Sequence, residues 1–547
     1  MTSEAEAARR FRVPAWVWVV GLFAAAVHMA PYFRALAVTP PGYEFTGNLS
    51  LSPDYMQYRV WMRQTQIEGP IVSDVFTTEA NEPHLPVPLY WTFGKIASWT
   101  GISPEWTYAW FGALLAVAFA VVLWLGVARF IRSSRARAWT FGALMFGGGL
   151  GGALRLLEDV AWVRGSFTMQ YLLLQPLRGE GGTPVFESYR GNYIVQALLD
   201  THFLAFWLIT TVAVLVLHSA VRRPSPGRLA LAAAVFAFGT FLHVYEGLTL
   251  LAITWGALAA VALRGAAPRR TLLVSGAVCT GAVVLTLLPI FVIARQSGLP
   301  TPSWRGETLV FSVFVLAYPL ALGLLVWGFG RYWREAGVDE AFLVGWAVAC
   351  AAIVLSGPFF PYPDRGTMTL QIPLFLIGAG IWFARRPRVG PLATAVVVLL
   401  LGSTPLYIAK RQIARTAFDP AESFKWIGPG EQRVLSALRE RAGRTDVLVA
   451  DQPNLRWIAP EYPGVHYAGH FFLTVDFRRK QEALRRFYES ASDAERRAFL
   501  DEWGVRWLFV DEQHEAERFV RLPGVTAVER TPSGSLFEVA RTASAAP

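Results

Sequence analysis

The chain has 547 residues, 54% of them hydrophobic and only 16% charged, with 21 Trp, 37 Phe and a formal net charge of +10. Soluble domains carry roughly 25% charged residues, so the composition excludes an ordinary soluble protein and points to a polytopic membrane protein. The positive surplus is spread over short connections between apolar runs, which excludes a nucleic-acid partner. The two cysteines, Cys279 and Cys350, both fall in apolar runs and read as small core residues rather than a disulfide framework.

Arg9, Arg10 and Arg12 precede the first apolar run, Trp16–Tyr32, which lacks a small-residue cleavage site and reads as a retained anchor. A long polar segment follows, from Tyr43 to Lys95. It alternates carboxylates (Asp54, Asp74, Glu79, Glu82) with aromatics (Tyr55, Tyr58, Trp61, Phe76, Tyr90, Trp91), and prolines fix its backbone. A connector of this size is either functional or disordered, and its aromatic content argues against disorder.

A membrane span needs about 20 apolar residues, and about eleven runs qualify. They are Trp16–Tyr32, Trp106–Ala128, Trp139–Leu157, Leu198–Leu217, Leu229–Leu242, Gly247–Leu263, Leu272–Ile293, Leu309–Phe329, Ala341–Leu355, Arg365–Phe383 and Val389–Ile408. Every second connection is short and rich in arginine, the positive-inside pattern. The parity places the N-terminus in the cytoplasm and the long polar segment and the tail outside, in a multi-pass protein of the cytoplasmic (inner) membrane. The run Gly147–Gly152 lies inside a span and lacks the Lys-Ser/Thr of a nucleotide loop, so it reads as close helix packing.

After Ile408 the composition turns soluble. Helices are expected over Glu431–Ala442, Arg478–Glu489 and Asp493–Trp503, and core strands over Val447–Ala450, Val505–Val510 and Ser535–Val539. That alternation predicts a small extracytoplasmic α/β domain over 411–547, behind a membrane domain over 1–410 that includes an outer loop over 34–105.

Counting about 20 residues outward from each basic inner end gives each helix's outer boundary. Arg155, Asp200, His202, Asp364 and Arg365 fall at that level, as do His243 and Glu246 in the turn H-V-Y-E-G. Ionisable groups at such depth must face protein or water. Each also has a plainer reading. Asp54 follows Ser52-Pro53 and suits a turn or helix cap. Glu79 and His84 suit a solvated loop, and Asp364 with Arg365 suits a local ion pair. No spacing names a metal site, although a divalent cation is compatible with the carboxylates.

The layout of one span, a long outer loop with an early acidic residue, many further spans and a soluble tail resembles the GT-C superfamily of membrane glycosyltransferases. That class includes the protein O-mannosyltransferases and the aminoarabinose transferases. The resemblance implies transfer of a sugar from a polyprenyl-phosphate carrier to an extracytoplasmic glycan, lipid or protein acceptor, with the bilayer as the other partner. It implies a catalytic carboxylate in the first outer loop, at Asp54 in S-P-D-Y. Tyr55 stands where many members carry a second acid, which leaves the base between Asp54 and Glu79. Tyr55, His84, Arg155, Asp200, His202, His243, Glu246, Asp364 and Arg365 are the expected substrate contacts. The W-W-D-Y-G motif of oligosaccharyltransferases is absent. The tail segment H-Y-A-G-H-F-F-L-T (His466–Thr474), with Lys480, is similar to tails of bacterial proteins of this kind. The competing classes are a transporter or lipid flippase, with its site near the bilayer midplane, and a non-catalytic accessory protein of envelope assembly.

Overall fold

Helices dominate because the apolar runs are long and, in a bilayer, backbone polar groups must be satisfied within the segment itself. The computed structural model describes residues 12–49, 53–81, 83, 87–150, 200–296, 318–356, 365–385 and 391–540. It separates into two units. The first comprises Met1–Ala30, Ala109–Pro289 and Trp304–Ala414, and the second Pro31–Tyr108, Ile290–Ser303 and Arg415–Pro547. The long polar segment thus clusters with the tail rather than with the helices that flank it in sequence.

The first unit is built on most of α1 (Ala15–Val38), α4 (Pro104–Phe130) and α9 (Arg269–Gln296), and on α5 (Ser134–Phe146), α6 (Thr201–Arg222), α7 (Pro226–Leu242), α8 (Val244–Leu263), α10 (Pro319–Arg334), α11 (Val338–Leu355), α12 (Arg365–Arg385) and α13 (Pro391–Ala414). Among the described residues, seven helices are long and apolar enough to cross a membrane: α1, α4, α6, α8, α9, α11 and α13. Shorter apolar helices cover Pro226–Leu242 and Thr369–Arg385. Of the expected runs, Trp139–Leu157, Leu198–Leu217, Leu309–Phe329 and Val389–Ile408 lie partly outside the described residues. Small residues let the helices approach closely. A Cβ on Gly112 would sit 2.2 Å from Thr201 Oγ1 and 2.3 Å from His28 Nε2, and one on Gly345 would sit 2.2 Å from the Gly256 carbonyl.

The glycine run corrects the expectation. Its described part, 147–150, does not continue the helix: α5 stops at Phe146, and Gly147 is extended. Gln371 Nε2 donates to the Gly147 carbonyl at 2.8 Å, and the hydroxyls of Ser403 and Thr404 donate to that of Gly149. A Cβ on Gly148 would meet Thr404 at 2.5 Å. The glycines serve close packing, but of a non-helical strip in which Gly149 takes a positive φ of 68° and α12 and α13 satisfy the Gly147 and Gly149 carbonyls.

The second unit holds β1 (Glu44–Phe45), α2 (Pro53–Ile67) and α3 (Pro88–Thr100) from the polar segment. From the tail come β2 (Trp426–Ile427), α14 (Pro429–Arg441), β3 (Val447–Val449), α15 (Gln452–Ile458), β4 (Val465–His466), α16 (Phe477–Glu489), α17 (Asp493–Glu502), β5 (Val505–Asp511), α18 (Ala516–Val520), β6 (Val525–Thr531) and β7 (Gly534–Val539). All six expected tail elements form. The short helix α15 is added to them, and the short β4 and the edge strand β6 with its polar residues complete a five-stranded mixed sheet in the order β4-β3-β5-β7-β6. Its two faces are covered by separate apolar cores, one around Trp457 and Phe509 and one around Phe487 and Leu508.

Backbone pairing binds the polar segment into this domain. β1 pairs antiparallel with β2, and Thr77 bridges Ala468. His466 N–H donates to the Val75 carbonyl at 2.7 Å, and Gly469 N–H to the Phe76 carbonyl at 3.2 Å.

Candidate active site

In α2, Pro53 and Asp54 form the first turn, where an acidic side chain faces unsatisfied N–H groups and is favoured by the helix dipole. Asp54 is the carboxylate of this helix, and its side chain is 43% exposed. Tyr55, the next residue, is instead 6% exposed and packs edge-on against Tyr108 at 5.4 Å. One residue turns a side chain about 100° around a helix, so Tyr55 packs against Tyr108 while the neighbouring Asp54 stays partly exposed. Arg59, 2% exposed, helps fix the same helix: its Nε donates to Glu105 Oε1 at 3.0 Å, and Arg63 reaches Glu461 at 2.9 Å. Burial alone would weaken the charge on Arg59, but the Glu105 and Glu461 carboxylates hold its pKa above the ordinary value.

The tail meets Asp54 through His470. Its Nε2 lies 3.3 Å from Asp54 Oδ1, off the ideal hydrogen-bond direction, and the imidazole is fully buried. Phe472 N–H donates to His470 Nδ1, which places the ring proton of the neutral imidazole on Nε2, facing the carboxylate. Thr474 Oγ1 accepts from the N–H of both Gly469 and His470 and donates to the Phe76 carbonyl at 2.6 Å.

Glu79 sits in a different setting. Lys480 Nζ donates to its Oε2 at 2.7 Å, to Thr78 at 2.9 Å and to the Tyr467 carbonyl at 3.1 Å, and the Thr77 hydroxyl also donates to Glu79. Burial would raise Glu79, but the Lys480 and Thr77 hydrogen bonds hold it below the usual carboxylate range. One of its oxygens, Oε2, is thus already held by both the Lys480 ammonium and the Thr77 hydroxyl. Asp74 caps the same loop, with Oδ1 accepting from Phe76 N–H at 2.9 Å. Its burial pushes the carboxyl up to about 7, and Oδ2 has no hydrogen-bond partner among the described residues.

The first unit collects a second group of the expected residues. Asp200 caps α6 by accepting from His202 N–H at 2.9 Å. The His202 and His243 rings are 5.6 Å apart and share Phe206. His243 is the single extended residue between α7 and α8, so Glu246 lies in the first turn of a helix rather than in a free turn. Glu246 is buried, 3.8 Å from His243 Nδ1, and accepts from Thr210 at 3.5 Å. Arg365 begins α12. His84, Arg155 and Asp364 lie outside the described residues. Among the described residues, no cluster of three or more His, Cys, Asp or Glu is placed to hold a metal ion.

Sequence reasoning missed His470 as a neighbour of Asp54 and Thr210 as a partner of Glu246. Two histidines in a short apolar, glycine-containing strip were the only available signal for the first.

No family model and no curated protein matches the chain. Solved structures do. The oligosaccharyltransferase of Archaeoglobus fulgidus in its apo form superimposes with a TM-score of 0.54 at 12% identity, over 91% of this chain and 69% of that one. ArnT from Cupriavidus metallidurans, bound to undecaprenyl phosphate, gives 0.52 at 14% identity over 95% and 97%. The mycobacterial arabinofuranosyltransferase AftD gives 0.55 at 15% identity over 97% of this chain and 40% of that one. The chain has the GT-C fold of these membrane glycosyltransferases, as its layout implied.

Proposed function

We propose that the protein is a membrane glycosyltransferase that moves a sugar from a polyprenyl-phosphate donor to an extracytoplasmic acceptor, with Asp54 as general base. The observation that carries the reading is Asp54 itself: a partly exposed carboxylate at the head of a helix pinned by buried ion pairs, in a chain with this fold. In the reaction Asp54 takes the acceptor's hydroxyl proton as its oxygen bonds to the sugar's anomeric carbon. The anomeric carbon–oxygen bond to phosphate breaks, its electron pair leaves with the lipid phosphate, and attack from the opposite face inverts the configuration. Cationic donors are required where charge develops on that phosphate. Arg365 is assigned to it, because its planar fork matches two phosphate oxygens, and His202, His243 and Glu246 are assigned to the donor's polar head. One complex among the structural neighbours holds dolichol phosphate and another undecaprenyl phosphate, which supports a donor of this kind.

The test is release of undecaprenyl phosphate by the purified protein from synthetic undecaprenyl-phosphate-linked pentoses and hexoses, with a cell-envelope extract as acceptor. Release above a heat-inactivated control supports the reading. Transbilayer movement of the lipid without bond cleavage overturns it in favour of transport.

A further inference from the structure

His470 is a fully buried side chain that the reaction above does not use, yet it lies against the group that does the chemistry. Four features fix it. Phe472 N–H occupies Nδ1, and the main chain on its N-terminal side is tied through Thr474 to the Phe76 carbonyl. The ring is flanked by Phe76 at 5.8 Å and Phe471 at 4.8 Å. The remaining nitrogen, Nε2, faces Asp54 Oδ1 at 3.3 Å. A buried imidazole with one nitrogen committed and the other aimed at a half-exposed carboxylate is costly to maintain unless that direction is used.

We propose that His470, supplied by the tail, is the positioning residue for Asp54. It offers an N–H to one carboxylate oxygen, Oδ1, which fixes the rotation of the carboxylate relative to the acceptor hydroxyl. A lysine there would neutralise the base, whereas a neutral imidazole orients it and leaves its charge in place. Contacts of this kind are often long and poorly aligned without substrate and tighten in the productive complex. The tail domain is in this view part of the catalytic machinery, and its segment Gly469–Thr474 is built to hold one ring. The inference rests on Asp54 being the base.

The experiment measures turnover and donor KM on the undecaprenyl-phosphate sugars, together with melting temperature, for four full-length variants. His470→Leu removes the N–H. His470→Gln replaces it with an amide N–H of similar reach. Asp54→Asn and the double variant Asp54→Asn/His470→Leu close the cycle. The expected result is a fall in kcat of about 10- to 100-fold for His470→Leu with donor KM within threefold of wild type, and recovery to within about fivefold of wild-type kcat for His470→Gln. The double variant is no slower than Asp54→Asn alone, because residues acting through one another are not additive. If His470→Leu and His470→Gln lose activity equally and in step with melting temperature, the role is structural and the inference is overturned. If Asp54→Asn is inactive and His470→Leu turns over normally, the inference fails and the base assignment stands. If Asp54→Asn turns over normally, the base assignment fails and this inference with it.

Discussion

Two carboxylates in one polar segment meet two side chains from one tail, and the pairs differ in kind. Glu79 meets the Lys480 ammonium, which donates to Glu79, to Thr78 and to the Tyr467 carbonyl. Asp54 meets His470, a neutral ring with one N–H to offer. An ammonium stabilises the ionised carboxylate and removes its appetite for a proton, which suits a strut. An imidazole orients the carboxylate without cancelling it, which suits a base. The proposed division, with the base at residue 54 and a strut at residue 79, rests on this contrast.

The largest effect that would break this contrast is on turnover. Asp54→Asn should lower kcat about 100- to 10,000-fold, the range for loss of a general base, with melting temperature within a few degrees of wild type. Glu79→Gln should lower melting temperature and leave turnover per folded molecule within about fivefold. The reverse pattern, measured on the same undecaprenyl-phosphate donors, would exchange the two assignments.

The helical unit was largely legible in the sequence because its signal is local: apolar runs, basic ends and small residues at close approaches. The tail's elements were legible for the same reason, through amphipathic periodicity over Phe477–Glu489 and apolar runs such as Val505–Val510. What lay hidden was long-range. Glu79 and Lys480 are 401 residues apart, and no periodicity links them. Edge strand β6, with Thr526, Glu529 and Arg530, carries too little apolar pattern to be seen alone. The burial of Tyr55 beside an exposed Asp54 depends on which face of α2 meets Tyr108, and the polar segment alone does not fix that face.

Next in size is the pair that holds α2 in place. Arg59 and Glu105 are both about 2% exposed, and removing one partner of a buried ion pair typically costs about 3–5 kcal/mol. Arg59→Met should therefore destabilise the protein by that amount in chemical denaturation, and turnover should fall because α2 carries Asp54. A loss under 1 kcal/mol would show that the register of α2 is set elsewhere.

Asp74 gives a pH-dependent version. Its carboxyl is raised from 3.8 to about 7 by burial, so the folded state prefers it protonated. The associated stability is fully present below about pH 4 and is lost as pH rises toward about 7, at up to roughly 1.4 kcal/mol per pH unit. Asp74→Asn keeps an acceptor for Phe76 N–H and cannot ionise. The difference in melting temperature, variant minus wild type, should grow between pH 5 and pH 8. A difference that does not change with pH would mean that Asp74 stays ionised in the fold.

The smallest effect sharpens the contrast most. Lys480→Met keeps the methylene stem over the Tyr467 and Trp503 rings, now 5.0 and 5.1 Å from the ammonium, and removes only the charge and its donors. Glu79 is 34% exposed, so water can resolvate it once the lysine is gone, and the cost falls short of that for a fully buried pair. A loss of about 1–3 kcal/mol is expected. Adding Glu79→Gln should cost little more, since its partner has already been removed. Turnover per folded molecule should stay within about threefold of wild type, because a strut is read in stability and a base in rate. A Lys480→Met protein with an unchanged melting temperature and a collapsed kcat would place the Glu79–Lys480 pair in the chemistry and erase the distinction between the two carboxylates.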